Sequence, residues 1–166
     1  MIDEHDVGIS DYRALAAFRY QIRRFLRFSE ETAREAGIEP QQYLVMLAVK
    51  GLPEGVRGRV AEIAERLQLQ HHSTVELVDR LEKQALVQRK RSPVDRREVL
   101  VSITTKGEKL LRELATKHKQ QLKQDGPELL QSLRKVLGSS AKKSTTAHAV
   151  TSAPRTRARQ GARLKT

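Results

Sequence analysis

Between Val60 and Thr105 the hydrophobic period changes once, from helical to alternating, and few folds accommodate that order. Ala61, Ile63, Ala64 and Leu67 recur at helical spacing, and Gln68-Leu69-Gln70 turns the chain. A second helix is predicted from His71 to Gln84, with Val75, Val78 and Leu81 facing inward. Leu86 to Arg91 reads as a strand, and Val99 to Thr104 alternates Val99, Val101 and Ile103 against Leu100, Ser102 and Thr104. The seven residues between the strands exceed a tight hairpin, and Pro93 fixes part of their shape. Helix, turn, helix and basic hairpin therefore follow one another without a break.

The flanks are helical. Leu15, Phe18, Ile22, Phe25 and Ser29 form one stripe of a helix predicted from Ser10 to Gly37, where glycine suits the C-terminal stop. Pro40 opens a second helix, because its missing N–H is not needed in a first turn; Tyr43, Leu44, Leu47 and Ala48 share its apolar face, and Gly51-Leu52-Pro53 ends it. Glu54 to Gly58 reads as a flexible connection. After the hairpin, Thr105-Lys106-Gly107-Glu108 has the form of a capping box with Thr105 as the cap. A long helix then runs through Leu110, Leu111, Leu114 and Leu122. Asp125-Gly126-Pro127 is predicted to break it and start another, carrying Leu129, Leu130, Leu133, Val136 and Leu137, which Gly138 ends.

Residues 139–166 change character: they contain seven Lys or Arg, no acid and no aromatic residue. Such a stretch cannot bury enough apolar surface to offset the entropy of ordering, so disorder is expected there. The predicted organisation is one domain over residues 1–138, with its hairpin-bearing lobe at about 52–105, and a basic tail over 139–166.

The net charge of +12 favours an anionic partner. The first 138 residues hold 25 basic and 20 acidic side chains, so the tail supplies more than half of that excess. The six aromatic residues, Tyr12, Phe18, Tyr20, Phe25, Phe28 and Tyr43, all lie before the basic segments. Proteins that hold single strands stack bases on rings beside their cations, so a duplex is the better expectation. There is no cysteine, which excludes disulfides and thiol oxidation as a trigger. The acidic start, Met1-Ile2-Asp3-Glu4-His5-Asp6, is not a signal peptide, and no apolar run approaches the length of a membrane span. A soluble, cytoplasmic protein with no membrane partner is expected.

A helix fits the major groove of DNA, where each base pair shows a distinct donor and acceptor pattern. The helix from His71 offers Gln70, His71, His72, Ser73, Thr74, Glu76 and Arg80 on its N-terminal turn and outer side. Gln and His can bond base edges; Ser73, Thr74 and free backbone N–H groups suit phosphate oxygens. Alone, these residues describe any polar surface helix, and the hairpin tips the balance. Arg89, Arg91, Arg96 and Arg97 put positive charge on both of its sides, where arginine can enter a narrow minor groove, and Asp95 stands two residues before Arg97, placed to hold its guanidinium. Enzyme chemistry finds little support. His72 and Glu76 sit four apart on one helical face with His71 adjacent, which makes a metal site conceivable, but no further ligand is evident nearby; the glycines at 51, 55 and 58 lack the Gly-Lys-Ser/Thr ending of a phosphate loop, and no nucleophile–base spacing stands out. No enzyme activity, metal or cofactor is expected.

Val60 to Leu67, Thr74 to Glu82, and Asp95-Arg96-Arg97 followed by Val101-Ser102-Ile103-Thr104-Thr105-Lys106-Gly107 resemble, in turn, the first DNA-domain helix, the recognition helix and the wing of the MarR family of winged helix-turn-helix regulators. Ile103 stands where the family has leucine, and His71-His72 where many relatives have Ser-Pro or Ser-Arg. The resemblance covers roughly residues 10 to 138. It implies a mainly α fold with a small β-hairpin: a winged helix-turn-helix lobe flanked by N- and C-terminal dimerisation helices. It also implies an obligate homodimer, a sequence-specific repressor of transcription on a pseudo-palindromic double-stranded DNA operator, and a small aromatic or anionic effector near Tyr20, Arg23 and Tyr43. The competing reading is an architectural, nucleoid-type protein with little sequence preference, which the basic tail favours.

Overall fold

The computed structural model describes residues 7–141. Helices α1 (Ile9–Glu35), α2 (Pro40–Lys50), α3 (Val60–Leu67) and α4 (His71–Lys83) precede strands β1 (Val87–Arg91) and β2 (Val99–Ile103), and α5 (Thr105–Ala141) closes the described chain. The fold is mainly α with one antiparallel hairpin, in which Val87 pairs with Ile103, Arg89 with Val101 and Arg91 with Val99.

Local chemistry sets the helix ends. The Gly8 N–H donates to Asp11 Oδ2 at 2.8 Å, and the Glu39 N–H to Gln42 Oε1 at 2.9 Å ahead of Pro40. Each bond satisfies a donor that the helix cannot. Gly37 takes a φ of +80° as the chain leaves α1, a conformation that glycine adopts without strain. One core joins the lobe to the long helices: Ala33, Val45, Met46, Ile63, Val78, Leu81 and Leu114 are all fully buried within it.

Four expectations change. First, α2 buries Tyr43, Val45, Met46 and Val49, while Leu44 and Leu47 are exposed. The helix packs against α1, α3, α4, α5 and β2, so an apolar sequence around most of its circumference gave no unique stripe. Second, Thr104 rather than Thr105 caps α5: its Oγ1 accepts from the Gly107 N–H at 3.0 Å and donates to the Ala85 carbonyl at 2.7 Å. Glu108 reaches Lys50 instead of turning back to a cap. Third, α5 continues through Pro127. A proline there forfeits one helical hydrogen bond and costs about 3 kcal/mol. Gly126 has no Cβ to clash with the proline ring, and Arg24 of α1 holds Asp125 and Glu128 on either side of it at 3.4 and 3.2 Å. Fourth, the stretch expected to lack order begins inside this helix, which reaches Ala141; the remainder lies outside the described residues.

The Glu54–Gly58 connection is also more than a spacer. Val101 donates to the Gly58 carbonyl at 2.8 Å, and a Cβ on Gly58 would stand 2.5 Å from the Val101 carbonyl oxygen. Glycine thus lets the connection lie against the outer edge of β2.

Candidate nucleic-acid interface

Helix α4 starts at His71 with Gln70 as its N-cap, extended at φ −66° and ψ 144°. The Gln70 carbonyl accepts from both the N–H and the Oγ1 of Thr74, at 3.1 and 3.2 Å. Thr74 is fully buried beside Leu77, Val78 and Leu81. Its expected contact with phosphate is therefore withdrawn: the hydroxyl closes the first turn and has no path to a ligand. Val75 is only half-buried. Gln70, His71, His72 and Glu76 are exposed and Ser73 half-buried, so the first turn presents a polar end with uncapped N–H groups. Glu76 and Arg80 pair with each other at 3.6 Å, one turn apart.

The wing is ordered by its own side chains. Ser92 is buried, and its Oγ accepts from the N–H groups of Val94 and Asp95 at 3.3 and 3.4 Å. Asp95 Oδ1 accepts from the Arg97 N–H at 2.9 Å, and the Glu98 N–H donates to the Asp95 carbonyl at 3.0 Å. Asp95 thus shapes the backbone beneath Arg97 and does not clamp its guanidinium, contrary to the expectation from sequence; short polar side chains fold back on nearby amides in this way. Arg91, Arg96 and Arg97 are exposed and have no carboxylate partner among the described residues.

Arg89 behaves differently from its neighbours. Its Nη1 donates to Glu82 Oε2 and its Nη2 to Asp79 Oδ1, both at 2.6 Å, while its backbone N–H donates to Glu82 Oε1 at 2.8 Å. Partial burial works against the Arg89 charge; the bonds to Glu82 and Asp79 outweigh it and hold its pKa above the usual arginine value. The backbone N–H bond from Arg89, then its guanidinium, hold the Glu82 carboxyl below the usual carboxylate range. Arg89 was expected at the DNA surface, but its donors are spent inside the lobe, tying β1 to α4. Sequence reasoning missed Asp79 and Glu82 as its partners. Their three-residue spacing on one face of α4, opposite an arginine on the next strand, was the available signal.

A second missed group braces the base of the wing. Glu98 accepts from Arg57 at 2.7 Å and pairs with Arg59 at 3.4 Å. The Arg57 bond leads the causes that hold the Glu98 carboxyl below its ordinary value. The three side chains proposed for an effector do not share a cavity. Tyr20 and Arg23 lie along the outer side of α1, whereas Tyr43 is buried and stacks on His118 at 4.7 Å between ring centroids. His118 donates from Nδ1 to the Leu114 carbonyl at 2.7 Å, and its Nε2 accepts from Ser29 at 2.8 Å. Among the described residues no cluster of three potential metal ligands occurs, and no helix is long and apolar enough to cross a membrane.

Residues 36–98 match the model of the MarR family. The chain is 33% identical over 64 residues to the HTH-type transcriptional regulator YsmB of Bacillus subtilis (strain 168), a stretch covering 39% of this chain and 44% of that one. The chain thus spans less than half the length of this curated relative. Its fold is similar to that of AbsC, a MarR family transcriptional regulator from Streptomyces coelicolor, with a TM-score of 0.63 and 21% identity over 84% of this chain and 97% of the other. It is also similar to a single-residue mutant of S. aureus MepR bound to an oligodeoxyribonucleotide, with a TM-score of 0.55 and 18% identity over 78% and 94% of the two chains.

Proposed function

We propose that the chain, whose residues 36–98 match the MarR family model, acts as a homodimeric, sequence-specific transcription regulator of the cytoplasm that represses by occupying a pseudo-palindromic operator. In this reading α4 enters the major groove by its first turn. His71, His72 and Gln70 bond base edges, and Ser73 with the free N–H groups of that turn meets phosphate. Glu76 accepts from a cytosine amino group or remains with Arg80. Arg96 and Arg97 occupy the adjacent minor groove, and Arg91 meets the backbone. The observation that carries the proposal is the wing itself: two arginines without a carboxylate partner among the described residues, at the tip of a loop fixed by Ser92 and Asp95, on a strand locked to α4 through Arg89. Fixed spacing between helix and wing is what reading two grooves at once requires.

The dimer is supported by apolar surface left open on both long helices, including Leu15 and Leu26 on α1 and Leu130 and Leu137 on α5. Two copies would then address half-sites about one helical turn apart. For an effector of aromatic-acid type, the reading takes the open groove of about 390 Å³ where α2 meets α5, lined by Tyr43, Leu47, His118, Leu122, Lys119 and Lys123. Rings would lie on the apolar floor and a carboxylate beside the lysines.

Selection of bound duplexes from a random pool tests the reading. Enrichment of an inverted repeat is expected. A pool that stays random would favour the architectural alternative, which the basic residues after Ala141 support.

A further inference from the structure

The most exposed large apolar side chain among the described residues stands in the wing: Val94 is 76% open to solvent. An exposed valine is ordinary by itself, and its setting is what carries weight. Val94 lies on neither α1 nor α5, so the dimer proposed above gives no account of it. The loop around it is fixed. Ser92 is buried, and its Oγ accepts from the Val94 and Asp95 N–H groups at 3.3 and 3.4 Å. The Ser92 N–H donates to the Glu98 carbonyl at 2.9 Å, which closes the hairpin beneath the tip. Pro93 fixes a backbone angle just before Val94, and a β-branched side chain is stiff about its first torsion. The wing therefore presents a rigid apolar point, followed at once by Arg96 and Arg97, which are exposed and have no carboxylate partner among the described residues.

Those two arginines draw the tip toward phosphates, and the valine can make no hydrogen bond where they take it. On the floor of the minor groove A·T pairs show only acceptors, whereas a G·C pair adds the guanine amino group. Where guanine carries that group, adenine carries a C–H. A valine methyl packs against the C–H of adenine. On guanine it meets an amino group that stands in its way and that it would leave without a partner.

We propose that Val94 lies against the minor-groove floor beside Arg96 and Arg97 and is a specificity residue of the wing, accepting A·T pairs beneath it and refusing the guanine amino group. The proposal rests on the DNA-binding reading above and deepens it. Arginine also favours A·T tracts, because their groove is narrow, so the test must separate the valine from its neighbours.

The test uses the full chain and the operator recovered by selection. The pairs under the wing are those whose adenine N3 the bound protein shields from dimethyl sulfate. These A·T pairs are replaced either by G·C or by inosine·C, which pairs as G·C does but lacks the amino group. The parent chain is expected to bind the inosine duplex about tenfold more tightly than the G·C duplex, by fluorescence anisotropy. In Val94→Ser the hydroxyl can accept from the amino group, so the ratio should fall toward one. The thermal melt of Val94→Ser should match the parent's, because Val94 has no place in the core. Equal binding of the two duplexes by the parent overturns the proposal. So does a Val94→Ser chain that keeps the parent's ratio, which would leave the discrimination to the arginines. If selection yields no operator, the regulator reading falls by itself. The same ratio is then read on uniform inosine·C and G·C duplexes, with the same two results counting against Val94.

Discussion

Arg97 and Arg89 sit eight residues apart in one hairpin and do opposite work, which a salt titration can separate. Arg97 has an exposed guanidinium with no carboxylate partner among the described residues, so Arg97→Ala should weaken operator binding by about 1 to 3 kcal/mol and reduce the salt slope by about one unit. Arg89 spends its donors on Asp79 and Glu82. Arg89→Ala should also weaken binding, by letting the wing swing relative to α4, yet leave the salt slope unchanged because no phosphate contact is lost. A reduced slope for Arg89→Ala would show that it leaves its carboxylates to meet DNA. The Arg89 backbone N–H bond to Glu82, and after it the guanidinium, also give acid sensitivity, and only the guanidinium part is lost in Arg89→Ala. Glu82 has a folded pKa below its unfolded value, so its contribution to stability is full at neutral pH and fades as pH falls from about 4.3 toward the depressed value. Thermal melts between pH 5 and 2 should show a shallower acid loss for Arg89→Ala than for the parent chain. Residue identity alone marked both arginines as DNA contacts. What separated them was the carboxylate pair on the neighbouring helix, a tertiary relation invisible in the hairpin's own sequence.

At the level of elements, the joint between α4, the wing and α5 is packed too closely to admit a side chain at Gly107. The Leu86 carbonyl accepts from the Thr104 N–H, and a Cβ on Gly107 would stand 2.0 Å from its oxygen. Gly107→Ala should therefore destabilise the protein by about 3 kcal/mol or more, read as a fall in the denaturation midpoint, because backbone must move to relieve the overlap. Ala85 shows the reverse case. It leaves α4 with a φ of +55°, in the left-handed region where a Cβ is strained. Ala85→Gly should stabilise by about 1 kcal/mol, with a correspondingly higher denaturation midpoint and unaltered operator specificity. The order and type of the elements were legible because period and punctuation agree from Ile9 to Ile103. The boundaries that were misplaced share one cause: a neighbour outweighed the local signal. Thr104 and Thr105 are equivalent as caps until Ala85 and Leu86 supply carbonyls to the first. Asp125-Gly126-Pro127 reads as a break until Arg24 and Gln21 of α1 hold both sides of it. Thr74 reads as a surface hydroxyl until the packing of α4 buries it.

For the molecule as a whole, the open apolar surface and the proposed reading of an operator make a joint demand. Leu130, Leu133 and Leu137 recur at steps of three and four along α5, and Leu130 and Leu137 are 55% and 65% exposed. On α1, Tyr12, Leu15 and Leu26 are similarly open. A two-fold axis would bury each of these patches twice, once from each copy. Fully burying a leucine contributes roughly 1.5 to 3 kcal/mol, so four leucines across such an interface would account for a substantial part of a stable dimer. Leu130→Asp with Leu137→Asp should therefore yield monomers by light scattering, with the helical circular dichroism preserved because neither side chain belongs to the monomer's core. A monomer would still carry an intact α4 and wing, so it should bind a single half-site as the parent lobe does. It would lose the linkage that makes engagement of the second half-site intramolecular, and affinity for the full inverted repeat should drop by about 10² to 10⁴. Monomers that still bind the full repeat as tightly as the parent would remove the dimer from operator recognition, and a variant that stays dimeric would move the interface away from this face of α5.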